Sequence, residues 1–454
     1  MNSVTSDLRV GRGRWRGRSP LGGLSAERLG YGKVAAPPST ACVPGWRRLL
    51  AFAGPGYLVA VGYMDPGNWA TSVAAGSGFG YSLLGVVLLA SVMAMLLQAA
   101  ALRLGTASGC DLAQACRRHL GARVNLLLWL GCEIGIVATN LAEVLGMACG
   151  LQLLFRIPLG VGVCITALDV MLVLALQRRR VRRLESFIIL LTLVIAGCLA
   201  VQLLWLRPSP QQVLAGIIPA PRILARPDAL YLAVGIIGAT VMPHNLYLHS
   251  ALVQTRHLEP DQRGLRQAIR YATLDSNIAL TLALLVNIGI LVLAAGAFHR
   301  DGLAPVTELG QAYRLLTPLL GVSAASILFG IGLIASGLSS SITGTLAGQI
   351  AMEGFLDIRL SPATRALLTR GLAILPAATT AIWFGAAGVG RLLVLSQVVL
   401  GLQLPCAVVP LLWFTTRRAY LGCNAFRATT GIALWAIAAF IIAINFWLAY
   451  RLAL

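Results

Sequence analysis

The sequence predicts an all-α polytopic membrane protein that forms one transmembrane domain. Of its 454 residues, 57% are hydrophobic and only 11% are charged, whereas soluble domains carry about 25% charged residues. Apolar runs long enough to cross a bilayer, which takes about 20 residues, recur along the chain. Two of these runs are interrupted by proline beside polar side chains. Together these observations predict a bundle of membrane-spanning helices with a functional site inside it.

Eleven apolar runs are predicted as spans, and most connections between them are short. The predicted spans are 49–81 (broken), 83–102, 124–151, 157–176, 184–206, 229–255 (broken), 271–298, 319–350, 367–384, 391–415 and 430–450. Residues 46–454 are therefore expected to form a single domain of eleven helices. Residues 1–45 are rich in arginine, glycine, serine and proline, and we expect a disordered basic tail on the cytoplasmic face.

The basic residues predict how the bundle lies in the membrane. One set of alternate loops, counted with the N-terminal tail, carries 28 arginines and lysines, and the opposite set carries 8. Basic loops stay in the cytoplasm, so the N-terminus is predicted to be cytoplasmic and the C-terminus outside. The net charge of +20 thus reflects topology and contact with anionic membrane lipid. No nucleic-acid partner is expected.

The first and sixth spans are broken in the same way. The first contains Asp65-Pro66-Gly67-Asn68 and the sixth contains Met242-Pro243-His244-Asn245, with proline and asparagine in register and a separation of 177 residues. Proline and glycine interrupt a helix, and freed backbone groups survive in a membrane only where they line a cavity or site. Corresponding breaks in two halves of a chain indicate a transporter site between inverted repeats.

The two breaks offer a mixed set of ligands for a metal ion. Asp65 has a carboxylate, Asn68 an amide oxygen and Met242 a thioether. The carbonyl of Ala239 lies one helical turn before the second break, and its usual donor is lost at the proline. Oxygen ligands suit Mg²⁺, Ca²⁺ and Mn²⁺, whereas a thioether favours transition metals. The set predicts a site for Mn²⁺ or Fe²⁺ that disfavours Ca²⁺ and Mg²⁺.

The third span has a polar row that is typical of a proton relay. Glu133, Asn140 and Glu143 are spaced so that they share one helix face. Acids within a membrane are costly unless they face the bundle interior and are paired or protonated, and Arg370 of the ninth span is a candidate partner. A structural ion pair near the helix end is the alternative for Glu133.

Two histidines of the sixth span are predicted to belong to the same polar pathway. His244 follows the second break directly, and His249 lies five residues later. Histidine changes its charge near neutral pH, which favours a role in moving protons over metal ligation. A structural, hydrogen-bonded histidine is an equal alternative for His249.

These motifs resemble those of the Nramp family. The run from Gly54 through DPGN to Gly80 is similar to the first helix of that family, and GATVMPHNLYLHS (238–250) is similar to its sixth. The resemblance covers the chain from about residue 45 onward. It implies a LeuT-like fold of two five-helix inverted repeats plus an eleventh helix, with helices one and six broken at mid-membrane depth.

The same resemblance implies a function. Nramp proteins are proton-coupled divalent metal transporters, and bacterial members chiefly import manganese across the inner membrane. Carried onto this chain, the resemblance implies metal ligation by Asp65, Asn68, Met242 and the Ala239 carbonyl, with a gating amide at Gln397. Asp65 also begins the implied proton pathway. The transported ion is a substrate, and no resident cofactor is expected.

One position departs from the family pattern. The third span has Asn140, in TNLAEVLG, where the family usually has aspartate. Asparagine cannot take up a proton, so we expect metal transport to persist while proton transport is weaker or less tightly tied to it. Glu143, one turn further on the same face, is then the nearest acceptor, with His244 as an alternative exit.

Other functions fit the sequence less well. A sodium- or proton-coupled carrier of a small organic solute is the main alternative, and Met242 argues against it. The sequence shows no nucleophile–base set for an enzyme and no GxxxxGK[ST] motif for an ATP-driven pump.

Overall fold

The computed structural model describes residues 54–169, 171, 181–218, 226–256, 262–299, 305–322, 324–358 and 360–453. The predicted basic tail, the start of the first span and the end of the fourth span lie outside these residues. Within them, nine continuous helical stretches are long and apolar enough to cross a membrane. The second half of the first span and the whole second span form one of these stretches, Pro66–Ser108.

Helices occupy the positions of all eleven predicted spans, the fourth only in its described part. In chain order they are Pro55–Ala60 with the 3₁₀ turn Val61–Met64 and Pro66–Phe79 (first), Leu84–Ser108 (second), Ala122–Phe155 (third), Leu159–Ile165 with Thr166–Leu168 (fourth), Val181–Leu206 (fifth), Pro227–Val241 and Pro243–Leu252 (sixth), Gln262–Phe298 (seventh), Ala324–Leu356 (eighth), Pro362–Trp383 (ninth), Gly385–Thr416 (tenth) and Ala428–Ala453 (eleventh).

Short helices that the hydropathy pattern did not predict connect the spans. They are Leu112–His119, Pro210–Ala215, Leu309–Leu320 and Arg418–Leu421. The first has a capping box: Asp111 accepts a hydrogen bond from the Gln114 backbone N–H at 2.8 Å, and the Gln114 side chain accepts one from the Asp111 N–H at 3.4 Å. Such reciprocal bonds satisfy the donors that a helix start leaves unpaired.

The eighth span begins later than predicted. The apolar run from 319 suggested one continuous helix, but the chain folds as Leu309–Leu320 and then Ala324–Leu356. Gly321 ends the first of these helices with a φ of 69°, a left-handed conformation that glycine adopts without strain. The helix therefore ends at Gly321 even though the sequence remains apolar.

The bundle exposes apolar side chains on its outside and buries a smaller set of polar side chains within an apolar core. Leu127, Leu204, Leu375 and Phe446 are each at least 67% exposed, as suits side chains that face lipid. Asp65 and other polar residues of the two breaks are buried. An exposed apolar surface suits contact with lipid, and the buried polar residues are the candidates for function.

Close backbone contacts bring the broken helices against their neighbours. A Cβ on Gly146 of the third span would lie 2.0 Å from the Cβ of Pro66, and one on Gly238 of the sixth span would lie 2.1 Å from the Gln397 carbonyl oxygen. Neither position has room for a side chain. The third and tenth spans can therefore reach the two breaks, and they bring their polar residues with them.

Candidate metal site

Asp65 forms the first break. Its backbone is extended (φ −64°, ψ 164°) between the turn Val61–Met64 and the helix that begins at Pro66. Asp65 Oδ1 accepts hydrogen bonds from the backbone N–H and the side-chain amide of Asn68, both at 2.8 Å. The carboxylate thus caps a helix N-terminus, where negative charge is favoured. Its second oxygen, Oδ2, is buried and has no hydrogen-bond partner among the described residues.

Met242 forms the second break. It lies between the helices Pro227–Val241 and Pro243–Leu252 with φ 35° and ψ 97°. A positive φ in a residue other than glycine costs about 1–3 kcal/mol, and such strain concentrates at functional sites. The buried Met242 sulfur accepts a hydrogen bond from the Asn245 amide at 3.5 Å. The strained backbone makes Met242 a stronger candidate than a methionine that only fills space.

Hydrogen bonds join the two breaks directly. The Asn68 amide nitrogen donates to the Ala239 carbonyl at 3.0 Å, and the Tyr63 hydroxyl donates to the Val241 carbonyl at 3.4 Å. The Ala239 carbonyl is available because its helical donor would be residue 243, which is proline. The structure therefore brings Asp65, Asn68 and Ala239 together.

Gln397 of the tenth span lies over the first break. A Cβ placed on Gly67 would be 1.9 Å from the Gln397 amide nitrogen, so the amide occupies the space that this glycine leaves open. The nitrogen donates to Ser396 at 3.0 Å, and the Gln397 oxygen is buried without a partner in the described chain. This oxygen is a further potential ligand close to Asp65.

The ligand set carries little charge. No group of three or more His, Cys, Asp or Glu side chains that could hold a metal ion occurs among the described residues. The breaks instead combine one carboxylate with amides, a carbonyl and a thioether. Such a set suits reversible binding of a transition-metal dication better than a permanent structural metal.

The polar row of the third span is divided between two arginines. Arg370 Nη1 donates to Glu143 Oε2 at 3.1 Å and to Asn140 Oδ1 at 3.3 Å. Glu133 instead pairs with Arg365, which the sequence analysis did not single out. Arg370 is therefore the partner of Glu143 and Asn140 and not of Glu133. Glu133 lies two helical turns before Asn140, so it faces a different turn of the ninth span.

The two histidines contact polar side chains of other spans. His244 Nδ1 lies 3.4 Å from the Thr139 hydroxyl of the third span. His249 Nδ1 lies 2.8 Å from the Gln98 side-chain oxygen, and Gln98 in turn donates to the Tyr63 hydroxyl at 2.5 Å. Both rings are buried. His249 is thus part of a chain of hydrogen bonds that reaches the first span just before its break.

Asp169 is a further member of the cluster around Arg370, at a position that the sequence patterns did not single out. This buried carboxylate of the fourth span pairs with Arg370. A signal was present in the sequence, because a lone acid within a predicted span is rare and is a functional candidate by default.

Comparison with known proteins extends the resemblance from two motifs to the whole chain. The family model "Natural resistance-associated macrophage protein-like" (Nramp) matches residues 56–451. The divalent metal cation transporter MntH of Bradyrhizobium diazoefficiens is 53% identical over 445 residues, which is 98% of this chain and 98% of that protein. A mutant of the Eremococcus coleocola manganese transporter has a crystal structure that aligns with a TM-score of 0.85 at 36% identity, covering 93% of this chain and 90% of that one.

A more distant structure shares the fold alone. MhsT, solved in complex with L-phenylalanine, aligns with a TM-score of 0.61 at 16% identity, over 87% of this chain and 98% of its own. The predicted fold class is confirmed: an all-α, multi-pass membrane protein with a LeuT-like arrangement and broken first and sixth helices. With a family match over most of its length and a relative of 53% identity, the chain belongs to the Nramp family.

Proposed function

We propose that this protein is a secondary transporter that imports Mn²⁺, together with Fe²⁺ and similar transition-metal dications, with protons as the coupled ion. The named relatives are divalent metal and manganese transporters, and the geometry of the two breaks supports the same activity for this chain. The transported metal is a substrate, and the proposal includes no enzymatic step.

One observation carries the proposal: the position of the Asn68 amide. Its nitrogen lies between Asp65 Oδ1 at 2.8 Å and the Ala239 carbonyl oxygen at 3.0 Å. Two oxygens from different breaks therefore turn toward one point, where a hydrogen-bond donor satisfies them. A dication bound at that point replaces the donor, and rotation of the Asn68 amide presents its oxygen to the ion. Asp65 Oδ2, which has no partner among the described residues, is a further ligand.

Selectivity in this proposal comes from Met242. Thioether sulfur is a soft ligand that binds transition metals better than Ca²⁺ or Mg²⁺. The break fixes the Met242 backbone in a strained conformation at the helix end, and we propose that its sulfur reaches the bound ion. The oxygen ligands accept many dications, and the sulfur favours Mn²⁺, Fe²⁺ and Cd²⁺ among them.

Proton coupling is proposed to use the polar residues that connect the breaks to the third and ninth spans. Glu143 and Arg370 form the central pair. His244 and His249 line the pathway on the sixth span, and Glu133 lies toward its end. The pathway begins at Asp65, since a dication next to a carboxylate favours its ionised form.

The proposed location is the inner membrane of a bacterium, with the N-terminus in the cytoplasm and the C-terminus outside. The asymmetry of 28 basic residues against 8 supports this orientation. The same residues are proposed to contact anionic lipid headgroups.

Uptake of Mn²⁺ into proteoliposomes tests the proposal. The vesicles contain a metal-sensitive dye and a pH dye, and a pH gradient is imposed. We expect Mn²⁺ uptake that is faster with an acidic exterior, and internal acidification that depends on Mn²⁺. Uptake of Ca²⁺ equal to that of Mn²⁺, or uptake of an organic solute without metal, would overturn the proposed function.

A further inference from the structure

Asp169 of the fourth span places a carboxylate beside Arg370, the arginine that the third span contacts through the neutral side chain of Asn140. Asp169 Oδ1 accepts a hydrogen bond from Arg370 Nε at 3.2 Å. Asp169 Oδ2 accepts from Arg370 Nη2 and, at 2.8 Å, from the Ser341 hydroxyl. Asp169 is only 8% exposed, and its carboxylate accepts hydrogen bonds from three donor atoms. It is therefore fixed on one side of the guanidinium.

Glu143 lies on the other side of the same guanidinium. It accepts one hydrogen bond, from Arg370 Nη1 to Oε2 at 3.1 Å. Its other oxygen, Oε1, is fully buried and has no partner among the described residues. That oxygen points toward Gly344, where an added Cβ would lie only 2.9 Å away. Arg370 thus holds Asp169 firmly and Glu143 loosely.

The charges in this cluster favour one exchangeable proton. With both acids ionised, two carboxylates share one guanidinium, which leaves a net negative charge in a buried site. Burial of uncompensated charge is costly, so a proton carried by Glu143 would leave the cluster of two acids and one arginine neutral. The nearby Glu133 and Arg365 pair with each other, and Asp65 on the broken first helix is the next carboxylate.

We propose that Asp169 is the second carboxylate of the proton relay and takes the role of the aspartate that the family pattern has at position 140. The inference rests on the proposed proton coupling. Asp169 neutralises Arg370, and Glu143 is then free to bind a proton and release it. In each cycle an O–H bond forms on Glu143 and later breaks, and the proton leaves toward the cytoplasmic side while Arg370 stays charged.

This arrangement changes the expectation for Asn140. Its side-chain oxygen accepts from Arg370 Nη1 at 3.3 Å, and its nitrogen donates to the Ile136 carbonyl at 2.9 Å. Asn140 therefore serves as a neutral partner of the arginine. Since Asp169 supplies the missing negative charge, proton coupling is retained despite the amide at position 140.

The test measures the ratio of proton flux to Mn²⁺ flux in proteoliposomes. Asp169→Asn leaves Glu143 as the carboxylate that neutralises Arg370, which holds Glu143 ionised. Protonation of Glu143 would then leave Arg370 as a buried charge without a carboxylate partner, which is costly, so we expect the flux ratio to fall at least about tenfold. Asp228→Asn removes an exposed aspartate at the start of the sixth span and is the matched control, with an unchanged ratio.

A charge relocation separates a relay role from a structural one. In the double variant Asp169→Asn with Asn140→Asp, a carboxylate returns to the guanidinium from the third span. We expect the flux ratio to recover to within about threefold of the unmodified protein, because the cluster regains two acids and one arginine. A purely structural Asp169 predicts no recovery. If Asp169→Asn fails to fold, the double variant is compared with Asn140→Asp alone, and similar ratios are expected.

The outcomes distinguish two kinds of failure. In the first, the unmodified protein shows Mn²⁺-dependent acidification and Asp169→Asn leaves the ratio of proton flux to Mn²⁺ flux unchanged. This result overturns the role of Asp169 but not the proposed proton coupling. A lower ratio that the double variant does not restore also overturns it, since Asp169 then only supports the structure. Mn²⁺ uptake without any acidification by the unmodified protein overturns proton coupling itself, and the role of Asp169 with it.

Discussion

Replacing Glu185 with glutamine is expected to release the beginning of the first span from the bundle. Glu185 Oε1 and Arg256 Nη2 form a buried ion pair at 2.7 Å, and an added Cβ on Gly54 would lie 2.3 Å from that same carboxylate oxygen. Beside it, the Gly56 N–H donates to Asp275 Oδ2 at 2.8 Å. The first span thus begins against groups of the fifth, sixth and seventh spans. An opening of this end that moves the fifth span away from the sixth must break the Glu185–Arg256 pair, and it removes the surface against which Gly54 lies.

The size of the effect follows from the burial of the pair. Removing one partner of a buried ion pair costs about 3–5 kcal/mol. Glutamine keeps the shape of the side chain and one neutral hydrogen bond, worth about 1 kcal/mol. The closed arrangement therefore loses about 2–4 kcal/mol, which at about 1.4 kcal/mol for each factor of ten shifts the opening equilibrium about 30-fold to 1000-fold. Arrangements in which the contact is already open are unaffected.

Amide hydrogen exchange measured by mass spectrometry reads this equilibrium. Peptides that cover Pro55–Ala60 contain the Gly56 amide and the Leu58 amide, which donates to the Gly54 carbonyl at 2.9 Å. We expect their exchange to accelerate by the factor above in Glu185→Gln. Glu133→Gln, which breaks the ion pair with Arg365 elsewhere in the bundle, is the control and should leave these peptides unchanged.

One result would refute this reasoning. If the folded Glu185→Gln protein exchanges amides at 55–60 as slowly as the unmodified protein, the ion pair does not hold the first span. If the control accelerates the same peptides equally, the effect is general destabilisation of the bundle.

Three further predictions concern the metal site. Asp65→Ala or Asn68→Ala should abolish Mn²⁺ uptake without loss of folded protein, because the point between the breaks loses its carboxylate or its amide. Uptake is measured in vesicles, and near-normal uptake by both variants would show that the metal site lies elsewhere. Met242→Ala should weaken Cd²⁺ uptake more than Mn²⁺ uptake and let Ca²⁺ compete better, and an unchanged ion preference means that Met242 only packs. Gln397→Ala should weaken Mn²⁺ binding about tenfold, as expected for one lost neutral ligand, and calorimetry that shows no loss removes Gln397 from the ligand set.

Much of the fold was predictable because membrane burial acts on local sequence. Apolar runs marked the spans, and Pro66 and Pro243 marked the breaks. The sequence also predicted that the Ala239 carbonyl lacks its helical donor, because the residue four positions later is a proline. What hydropathy could not predict was the helix that ends at Gly321, since a positive φ there terminates the helix without any change in polarity.

Partners between spans were not predictable in the same way. Glu133 pairs with Arg365, while Glu143 and Asp169 share Arg370. Which arginine faces which acid depends on how the ninth span is rotated and shifted against the third and fourth, and tertiary packing sets that. Local spacing places the third-span row on one helix face, but it carries no information on a residue 26 positions after Glu143 in a different helix.

The single carboxylate between the breaks has an electrical consequence. A dication held by Asp65 and neutral ligands gives the loaded site a net positive charge, whereas two carboxylates would make it neutral. A charge that crosses the membrane field gains about 2.3 kcal/mol for every 100 mV. Under the proposed import, an inside-negative voltage therefore draws the loaded carrier inward by itself. Metal entry should respond to membrane voltage even when the pH is the same on both sides.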